Sequence, residues 1–455
     1  MNSVRLIFRS LVYYRRTNAG VVAGAAVATA VLTGALVLGD SVRRTLMEQA
    51  LDRIGSIDAV LTAGDRFFRS DLSDRLQGVA KGLRSAPILQ LRSVVSTPAS
   101  GQTAQRVNTL GVDDRFVQLA LTPLSTLGIS GNQCLLNARL ASHLNATPGD
   151  ELIIRIRTPN ALAPDSVLAA VQNNSQAFRV EIAGVLSDES FGRFSLTADQ
   201  IPPFNLYVRI DWLQEQLNLP DRANVLLLDT TEDVSVEQAS DLLDDVLQPG
   251  DYQLRLGETL DPHIWEYRSE RIFIGPEVER AVSTADVPTI GVLTYFVNEI
   301  EFGDQSTPYS MVAAIGPLGG DATLPSNDVL PDDLKDNEIV INEWLSDDLG
   351  CDVGDTLSLR YFVMDEQDRL LESTNAFTVR SITPMQGLAA DRTLMPDFPG
   401  IAEAEAGRDW DPGIPLNLNR LRDKDEQYWE DYRGTPKAFV SEATGRRLWR
   451  NRWNL

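Results

Sequence analysis

The chain has 455 residues, of which 43% are hydrophobic, and this is enough apolar material to fill two or three domain cores. Its 64 acidic and 41 basic residues leave a net charge of -23, which would repel a phosphate backbone and so excludes DNA and RNA as partners. Two cysteines, Cys134 and Cys351, are too few for a disulfide-rich scaffold or a multi-cysteine zinc site, and we expect two buried thiols.

The first predicted element is a cytoplasmic amphipathic segment over residues 1–19. Apolar residues recur there at helical spacing and arginines occupy the opposite face, which is typical of a helix lying on a membrane surface. The apolar residues are Val4, Ile7, Phe8, Leu11 and Val12, and the arginines are Arg5, Arg9 and Arg16.

Residues 20–39 are uncharged and long enough to cross the hydrocarbon core of a bilayer. Arginines precede this run and Asp40 follows it, so the positive-inside rule places the N-terminus in the cytoplasm and the bulk of the chain outside it. The alternative is a signal peptide cleaved after Ala30. Because the apolar run continues well past that residue, we favour an uncleaved transmembrane helix.

This predicted membrane helix is rich in small residues at four-residue spacing, including Gly20, Gly24, Ala30 and Gly34. Such spacing lets helix backbones approach closely, so we expect the helix to pack against other helices. The sequence contains no second apolar run of spanning length, and the partner helices are expected to come from elsewhere. Residues 40–56 continue the helix as a stalk, with apolar residues at every fourth position.

An internal repeat follows at a constant offset of 205 positions. Residues 107–155 align without a gap to residues 312–360. The identical pairs include Val107 with Val312, Gly111 with Gly316, Asn137 with Asn342, Leu140 with Leu345, Leu144 with Leu349, Gly149 with Gly354, Asp150 with Asp355, Leu152 with Leu357 and Arg155 with Arg360.

Each copy of the repeat predicts a strand, a helix, a turn and a second strand. The asparagines cap the helix start, the leucines form its buried face, and Asn145 or Gly350 ends it. A Gly-Asp turn follows, at Gly149 and Asp150 or at Gly354 and Asp355. The glycines lie between helix and strand, so a turn is a better interpretation than a phosphate-binding loop.

We therefore predict an α+β fold of mixed α/β extracytoplasmic subdomains with an internal repeat. Its parts are a first copy at 57–260, a bridging helix at 261–286, and a second copy with a C-terminal segment at 287–455. Further strands are predicted near 57–63, 86–96, 205–210, 223–229 and 251–256, and helices near 69–81 and 235–247.

No pattern indicates catalysis. No lysine lies in a nucleotide-binding Gly-x-x-x-x-Gly-Lys-Ser/Thr loop, and neither histidine lies in a zinc-protease or hydrolase motif. His143 takes the repeat position of Asp348, which we interpret as an exposed helix site, and His263 opens the bridging helix. We expect no catalytic residue, no cofactor and no metal site.

Two groups of charged residues are further candidate sites. The acidic clusters do not have the spacing of a calcium-binding loop and are interpreted as solvated faces. The C-terminal basic and aromatic run fits a membrane interface or a solvated helix with packed tryptophans equally well. The clusters are Asp241, Asp244, Asp245 and Asp332, Asp333, Asp336, and the run is Arg446, Arg447, Trp449, Arg450, Arg452 and Trp453.

The order of these elements resembles the beginning of MacB/FtsX-type ABC transporter permeases. A basic amphipathic start, one small-residue-rich helix, a stalk and the pattern Asn-x-x-Leu-x-x-x-Leu-x-x-x-x-Gly-Asp-x-Leu together resemble their first helix and MacB-like periplasmic core domain, over residues 1–260. The second copy is similar to enlarged versions of such permeases, through Glu270-Arg271-Ile272-Phe273, Thr307-Pro308-Tyr309-Ser310 and Asp409-Trp410-Asp411-Pro412.

The resemblance implies a non-catalytic permease subunit in the inner membrane, in contact with membrane lipid, a second permease copy and an ABC-type ATPase. ATP hydrolysis in that ATPase would move the periplasmic domain to export or extract a substrate. Such permeases carry three further membrane helices and a loop that docks the ATPase, so we expect the chain to be a fragment or its other helices to be encoded separately. The alternative is a single-span, membrane-anchored binding or sensor protein.

Overall fold

The structure is a computed structural model. It describes residues 3–64, 66–80, 82–98, 100–157, 175–197, 201–230, 234–258, 264–271, 273–285, 287–318, 329–331, 333–364, 369–398, 400–411 and 416–449. Two compact units are present. The first comprises Met1–Gly64, Ser70–Ile156 and Ala177–Val246, and the second comprises Asp65–Arg69, Arg157–Gln176 and Leu247–Leu455.

The helices of the described chain are α1 (Ser3–Tyr13), α2 (Arg15–Ile54), α3 (Leu72–Val79), α4 (Asp114–Gln118), α5 (Ala138–Leu144), α6 (Ile210–Gln216), α7 (Val236–Val246), α8 (Pro276–Thr284), α9 (Glu343–Leu349), α10 (Asp423–Tyr432) and α11 (Glu442–Trp449).

The strands are β1 (Ala59–Thr62), β2 (Phe68–Arg69), β3 (Arg84–Ser96), β4 (Thr103–Val112), β5 (Gln133–Asn137), β6 (Glu151–Arg157), β7 (Ser175–Leu186), β8 (Asn205–Arg209), β9 (Arg222–Ala223), β10 (Val225–Asp229), β11 (Leu254–Glu258), β12 (Trp265–Ser269), β13 (Ile290–Phe302), β14 (Gln305–Pro317), β15 (Glu338–Asn342), β16 (Thr356–Met364), β17 (Leu370–Thr383) and β18 (Ala438–Ser441).

The first unit contains a sheet with the strand order β1-β10-β3-β4-β8-β5-β7-β6, and β3 also pairs with β6. This additional pairing joins the ends of a ring of six strands. The first unit has an apolar core cluster that includes Leu110, Phe116, Tyr207 and Leu227, all at most 1% exposed, and to which α4 and β10 contribute from outside the ring. The mixed α/β fold class predicted from the sequence is confirmed.

The second unit contains a closed barrel with the order β13-β14-β18-β15-β17-β16. It matches the six-stranded ring of the first unit strand for strand, including the parallel pairs β4–β8 and β14–β18. The parallel pairs β5–β7 and β15–β17 each contain a bulge, between Cys134 and Leu135 and between Ile339 and Val340. These positions are 205 residues apart, the same offset as in the sequence repeat.

Helix α5 in the first repeat copy and helix α9 in the second each begin at an asparagine with the same geometry. The Asn137 side chain accepts a hydrogen bond from the Leu140 N–H at 3.0 Å, and Asn342 accepts one from the Leu345 N–H at 2.8 Å. Both asparagines are at most 1% exposed. Each side chain therefore satisfies a buried helix N–H that has no partner within its helix.

The helices end in the same way in both copies. Asn145 and Gly350 adopt the left-handed conformation at the two helix ends, with φ of 49° and 66°. In the turns that follow, Gly149 and Gly354 have φ of 94° and 97°, a conformation that favours glycine. The backbone thus bends at equivalent positions before each second strand.

The aspartates of the two Gly-Asp turns also make equivalent hydrogen bonds. Asp150 Oδ2 accepts from the Thr147 N–H at 2.7 Å, and Asp355 Oδ2 accepts from the Asp352 N–H at 2.8 Å. The Asp150 carbonyl accepts from the Ile182 N–H at 3.0 Å, and the Asp355 carbonyl accepts from the N–H of residue 379 at 2.8 Å. Each aspartate closes its own turn. We propose that the two copies arose by duplication of one structural unit.

Substituting either capping asparagine tests this shared geometry. We expect Asn137→Ala and Asn342→Ala each to cost about 1 kcal/mol of local stability, because each removes the acceptor of one buried N–H. Hydrogen exchange of the α5 and α9 amides in the intact chain measures the effect. Asn108→Ala, at a half-buried asparagine that caps no helix, is the control; an effect at only one of the two caps would contradict equivalent roles.

Two predictions from the sequence are corrected by the structure. Among the described residues of the predicted bridging helix at 261–286, only α8 is helical, because Trp265 and Tyr267 alternate with charged residues and form β12, which pairs with β11. Asp348 is not an exposed site: its side chain is 2% exposed and contacts Arg422 at 2.7 Å. Arg422 belongs to a connection, residues 384–437, that is much longer than its counterpart in the first copy. His263 and Asp332 lie outside the described residues.

Candidate functional site

The most distinctive part of the molecule is the long helix α2 and its attachment to the first unit. α2 runs without interruption for 40 residues, about 60 Å at 1.5 Å per residue. Of the helices in the described residues, α2 is the one that is long and apolar enough to cross a membrane. It combines the predicted membrane span and the predicted stalk in one rod. Gly20, Gly24 and Gly34 have no atom within 4 Å of an added Cβ, so their face of the rod is open to a partner.

The rod ends at Gly55, where the chain turns into the first unit. Gly55 has φ of 63° and ψ of -127°, a combination that side chains other than glycine strongly disfavour. An added Cβ would also lie 2.3 Å from the Leu119 carbonyl oxygen. Both the backbone conformation and the close approach therefore require glycine here.

The residues after Gly55 are held by hydrogen bonds from two sides. The Ser56 N–H donates to the Leu119 carbonyl at 2.9 Å, and the Ser56 hydroxyl donates to Asp229 Oδ2 at 2.9 Å. The Asp229 carboxylate, whose side chain is 9% exposed, also forms an ion pair with Arg84. Asp229 ends β10 and Arg84 begins β3, so their ion pair joins two strands of the sheet. The hydrogen bond from Ser56 to Asp229 then connects the end of the rod to this sheet.

Strand β1 continues directly from this junction. The Asp58 N–H donates to the Leu228 carbonyl at 2.9 Å, and Asp58 Oδ2 accepts from the N–H and hydroxyl of Thr230, both at 2.9 Å. Ile57 is 5% exposed and belongs to the core of the first unit. Four residues, 55–58, thus separate the end of α2 from the start of β1.

Aromatic rings pack beneath the junction. Phe191 lies 3.0 Å from the Cβ position at Gly55, and its ring centroid lies 4.6 Å from that of Phe116. The Tyr207 hydroxyl donates to the Phe191 carbonyl, and burial raises the pKa of Tyr207, so the phenol stays protonated as a donor. These large rigid side chains leave little freedom for the helix end to tilt independently of the sheet.

This arrangement is suited to transmitting force rather than to chemistry. A displacement of α2 would be passed to β1, β3 and β10 through hydrogen bonds, an ion pair and packed rings. No group of three or more His, Cys, Asp or Glu side chains in the described ranges could hold a metal ion. His143 is exposed and lies against Phe204, with ring centroids 4.9 Å apart.

The predicted repeat residues and the junction are separate features of the structure. The repeat residues form the starts and turns of α5 and α9, whereas the junction is built by Gly55, Ser56, Arg84 and Asp229, which the sequence analysis did not select. A glycine followed by serine at the end of a predicted stalk is a recognisable helix-end signal. The contacts of Arg84 and Asp229 join residues 145 positions apart and could not be read from local sequence.

One comparison with known proteins identifies a family. The sequence model described as MacB-like periplasmic core domain matches residues 19–246, half of the chain. A comparison with curated proteins found no match.

The solved structures similar to this chain include the following two. The crystal structure of the periplasmic region of MacB from Actinobacillus actinomycetemcomitans has 10% sequence identity and a TM-score of 0.29, covering 52% of this chain and 97% of its own. The extracellular domain of the noncanonic ABC-type transporter YknZ from Gram-positive bacteria has 14% identity and a TM-score of 0.27, covering 41% of this chain and 91% of its own.

Proposed function

Because the chain belongs to the MacB/FtsX-type ABC transporter permeases through its MacB-like periplasmic core domain, we propose that it is a permease subunit driven by a partner ATPase. ATP hydrolysis in the cytoplasm would displace α2, and the first unit would move with it to export or extract a substrate. The observation that carries this proposal is the junction at Gly55 and Ser56, which fixes an uninterrupted helix to a core sheet.

The partners of the proposed complex follow from the surfaces of α2. The open face at Gly20, Gly24, Ala30 and Gly34 suits close packing against another helix, and the surrounding apolar side chains suit lipid. We include a second permease copy and an ABC-type ATPase as the proposed protein partners. The proposed location of the assembly is the inner membrane.

The proposal predicts that the partner ATPase hydrolyses ATP and that this chain does not. The purified full chain alone should show no ATPase activity, because its sequence lacks a phosphate-binding loop. The chain should associate with an ABC-type ATPase when the further membrane helices that it is expected to pair with are supplied. Hydrolysis by the chain alone, or purification together with those helices but without any ATPase, would sink the proposal, and the second result would favour a membrane-anchored sensor.

A second prediction concerns orientation. We expect the N-terminus to be cytoplasmic and uncleaved, because the arginines lie before the apolar run. Alkaline phosphatase fused after Gly101, in the exposed turn between β3 and β4, should be active outside the cytoplasm, whereas a fusion after Arg16 should be inactive. The membrane-purified protein should begin at Met1 or Asn2; a start at Val31 would mean that the segment is a signal peptide.

A further inference from the structure

A small cavity lies in the second unit between β14 and α10. The connection from β17 to β18 spans 384–437, whereas its counterpart from β7 to β8 spans 187–204. The longer connection contains α10 and packs Trp410 and Trp429 against Met311 of β14. The cavity has a volume of about 20 Å³, which is room for one small polar group.

A buried lysine lines this cavity. Lys437 is 4% exposed, and its ammonium lies 4.1 Å from the ring centroid of Trp344 and 4.6 Å from that of Tyr428. Its nearest carboxylate oxygen is Asp425 Oδ1, at 3.9 Å. Within the described part of the chain, this ammonium has no acceptor at hydrogen-bond distance. A buried cation with no hydrogen-bond acceptor is costly.

Asp425 is shared between Lys437, which lies at ion-pair distance, and Arg422, which donates hydrogen bonds to both of its oxygens. Arg422 Nε and Nη2 donate to Asp425 Oδ2 and Oδ1, each at 2.7 Å, and the Arg422 backbone N–H donates to Oδ2 at 2.9 Å. The other buried carboxylate nearby, Asp348, is held by Arg422 at 2.7 Å and by Lys424. Arg422 thus contacts both buried carboxylates and Lys424 contacts Asp348, whereas Lys437 lies at ion-pair distance from Asp425 but donates no hydrogen bond to it.

The remaining polar groups around the cavity reinforce this imbalance. The buried indole N–H of Trp410 has no acceptor among the described residues. The Arg433 guanidinium, which also lines the cavity, lies 5.6 Å from the Trp429 ring centroid. The Glu426 carboxylate accepts from the backbone N–H groups of Gly407 and Arg408, both at 3.0 Å. The Lys437 ammonium and the Trp410 indole N–H are thus two donors at the cavity that have no hydrogen-bond acceptor among the described residues, whereas Arg433 donates to the carbonyls of Ala404 and Glu405.

We propose that this cavity binds the carboxylate group of a small organic anion, with the Lys437 ammonium as its counter-ion. Water would supply an acceptor but no negative charge. A carboxylate supplies both, and its planar head fits the small volume better than a tetrahedral phosphate does. The proposal is independent of the transport role and concerns only the second unit.

The ionisation of Lys437 supports an anion at this position. Burial, opposed by Asp425 and assisted by Arg422 and Lys424, lowers the pKa of Lys437 to about 7. The empty cavity therefore favours the neutral amine at neutral pH more than a typical lysine site does. A bound carboxylate would stabilise the charged form and raise that pKa, so binding should weaken as the pH rises and the amine loses its proton. Glu426 and Arg433 are the other charged groups at the cavity.

Titration of the intact chain in detergent with sodium propionate tests the proposal. Calorimetry should detect binding of propionate. Propionamide, and sodium chloride at equal ionic strength, should show no comparable binding. Lys437→Met, which keeps the length but removes the charge, should weaken binding at least about tenfold. Lys424→Met is the matched control, because Lys424 is half exposed, pairs with Asp348 and does not line the cavity; it should retain binding.

A second measurement decides the matter if Lys437→Met fails to fold. Propionate binding to the unmodified chain should be weaker at about pH 9 than at about pH 7, because deprotonation of Lys437 removes the counter-ion. No binding beyond that of chloride or propionamide, equal binding by folded Lys437→Met, or binding independent of pH would each overturn the proposal.

Discussion

Replacing Gly55 with alanine is expected to loosen the junction between α2 and the first unit by on the order of 3 kcal/mol. The substitution forces a disfavoured backbone conformation and places Cβ 2.3 Å from the Leu119 carbonyl oxygen. Hydrogen exchange of the amides of residues 56–62 in the intact chain should accelerate about 100-fold, since each factor of ten corresponds to about 1.4 kcal/mol.

Gly64→Ala is the matched control for the Gly55 variant. Gly64 also has a positive φ, 65°, but no atom lies within 4 Å of its Cβ position. Alanine there should destabilise the protein only through the disfavoured left-handed backbone conformation, by about 1 to 2 kcal/mol. If the two variants show equal exchange at residues 56–62, the close contact with Leu119 does not hold the junction, and our account of force transmission loses its structural basis.

The largest effect within the repeat is expected from Leu140→Ala and Leu345→Ala. Both leucines are 0% exposed and face the cores of their respective units, so each truncation should cost roughly 2 to 5 kcal/mol. This exceeds the effect of the neighbouring asparagine caps. Hydrogen exchange of α5 and α9 measures each copy separately in the intact chain.

Exposed leucines provide the controls for these core variants. Leu121 is 52% exposed and Leu371 is 47% exposed, so their replacement by alanine should change stability by no more than about 0.5 kcal/mol. Core and surface variants with similar effects would mean that the repeated leucines do not anchor α5 and α9.

The sequence predicted the fold class and most elements because these depend on local pattern. Strand β3 and helix α7 lie within two residues of the predicted ranges 86–96 and 235–247. The prediction of a bridging helix was wrong because Trp265 and Tyr267 belong to a strand that pairs with β11. This pairing cannot be read from the helix-compatible residues around them.

The functional features were harder to predict because they depend on contacts distant in sequence. The predicted environment of Asp348 was wrong because its partner Arg422 lies 74 residues away, in a connection that is much longer than its counterpart in the first copy. The junction contact between Ser56 and Asp229 spans 173 residues. The length and apolar character of α2, in contrast, follow from composition alone.

The two native cysteines make direct measurement of domain movement practical. Cys134 and Cys351 are both buried and unpaired. Burial raises the pKa of Cys134 to about 12 and that of Cys351 to about 11, so little reactive thiolate forms near neutral pH. A single cysteine introduced at an exposed position should therefore take a maleimide dye selectively.

The most direct test of the proposed function is the movement of the first unit during ATP hydrolysis. A dye on Ser142→Cys, at an exposed position of α5, would report energy transfer to an acceptor on the lipid head groups, in the complex purified from its native membrane. We predict that the transfer differs between the nucleotide-free state and the vanadate-trapped state. Equal transfer in both states, in a complex that hydrolyses ATP, would contradict a permease moved by its partner ATPase.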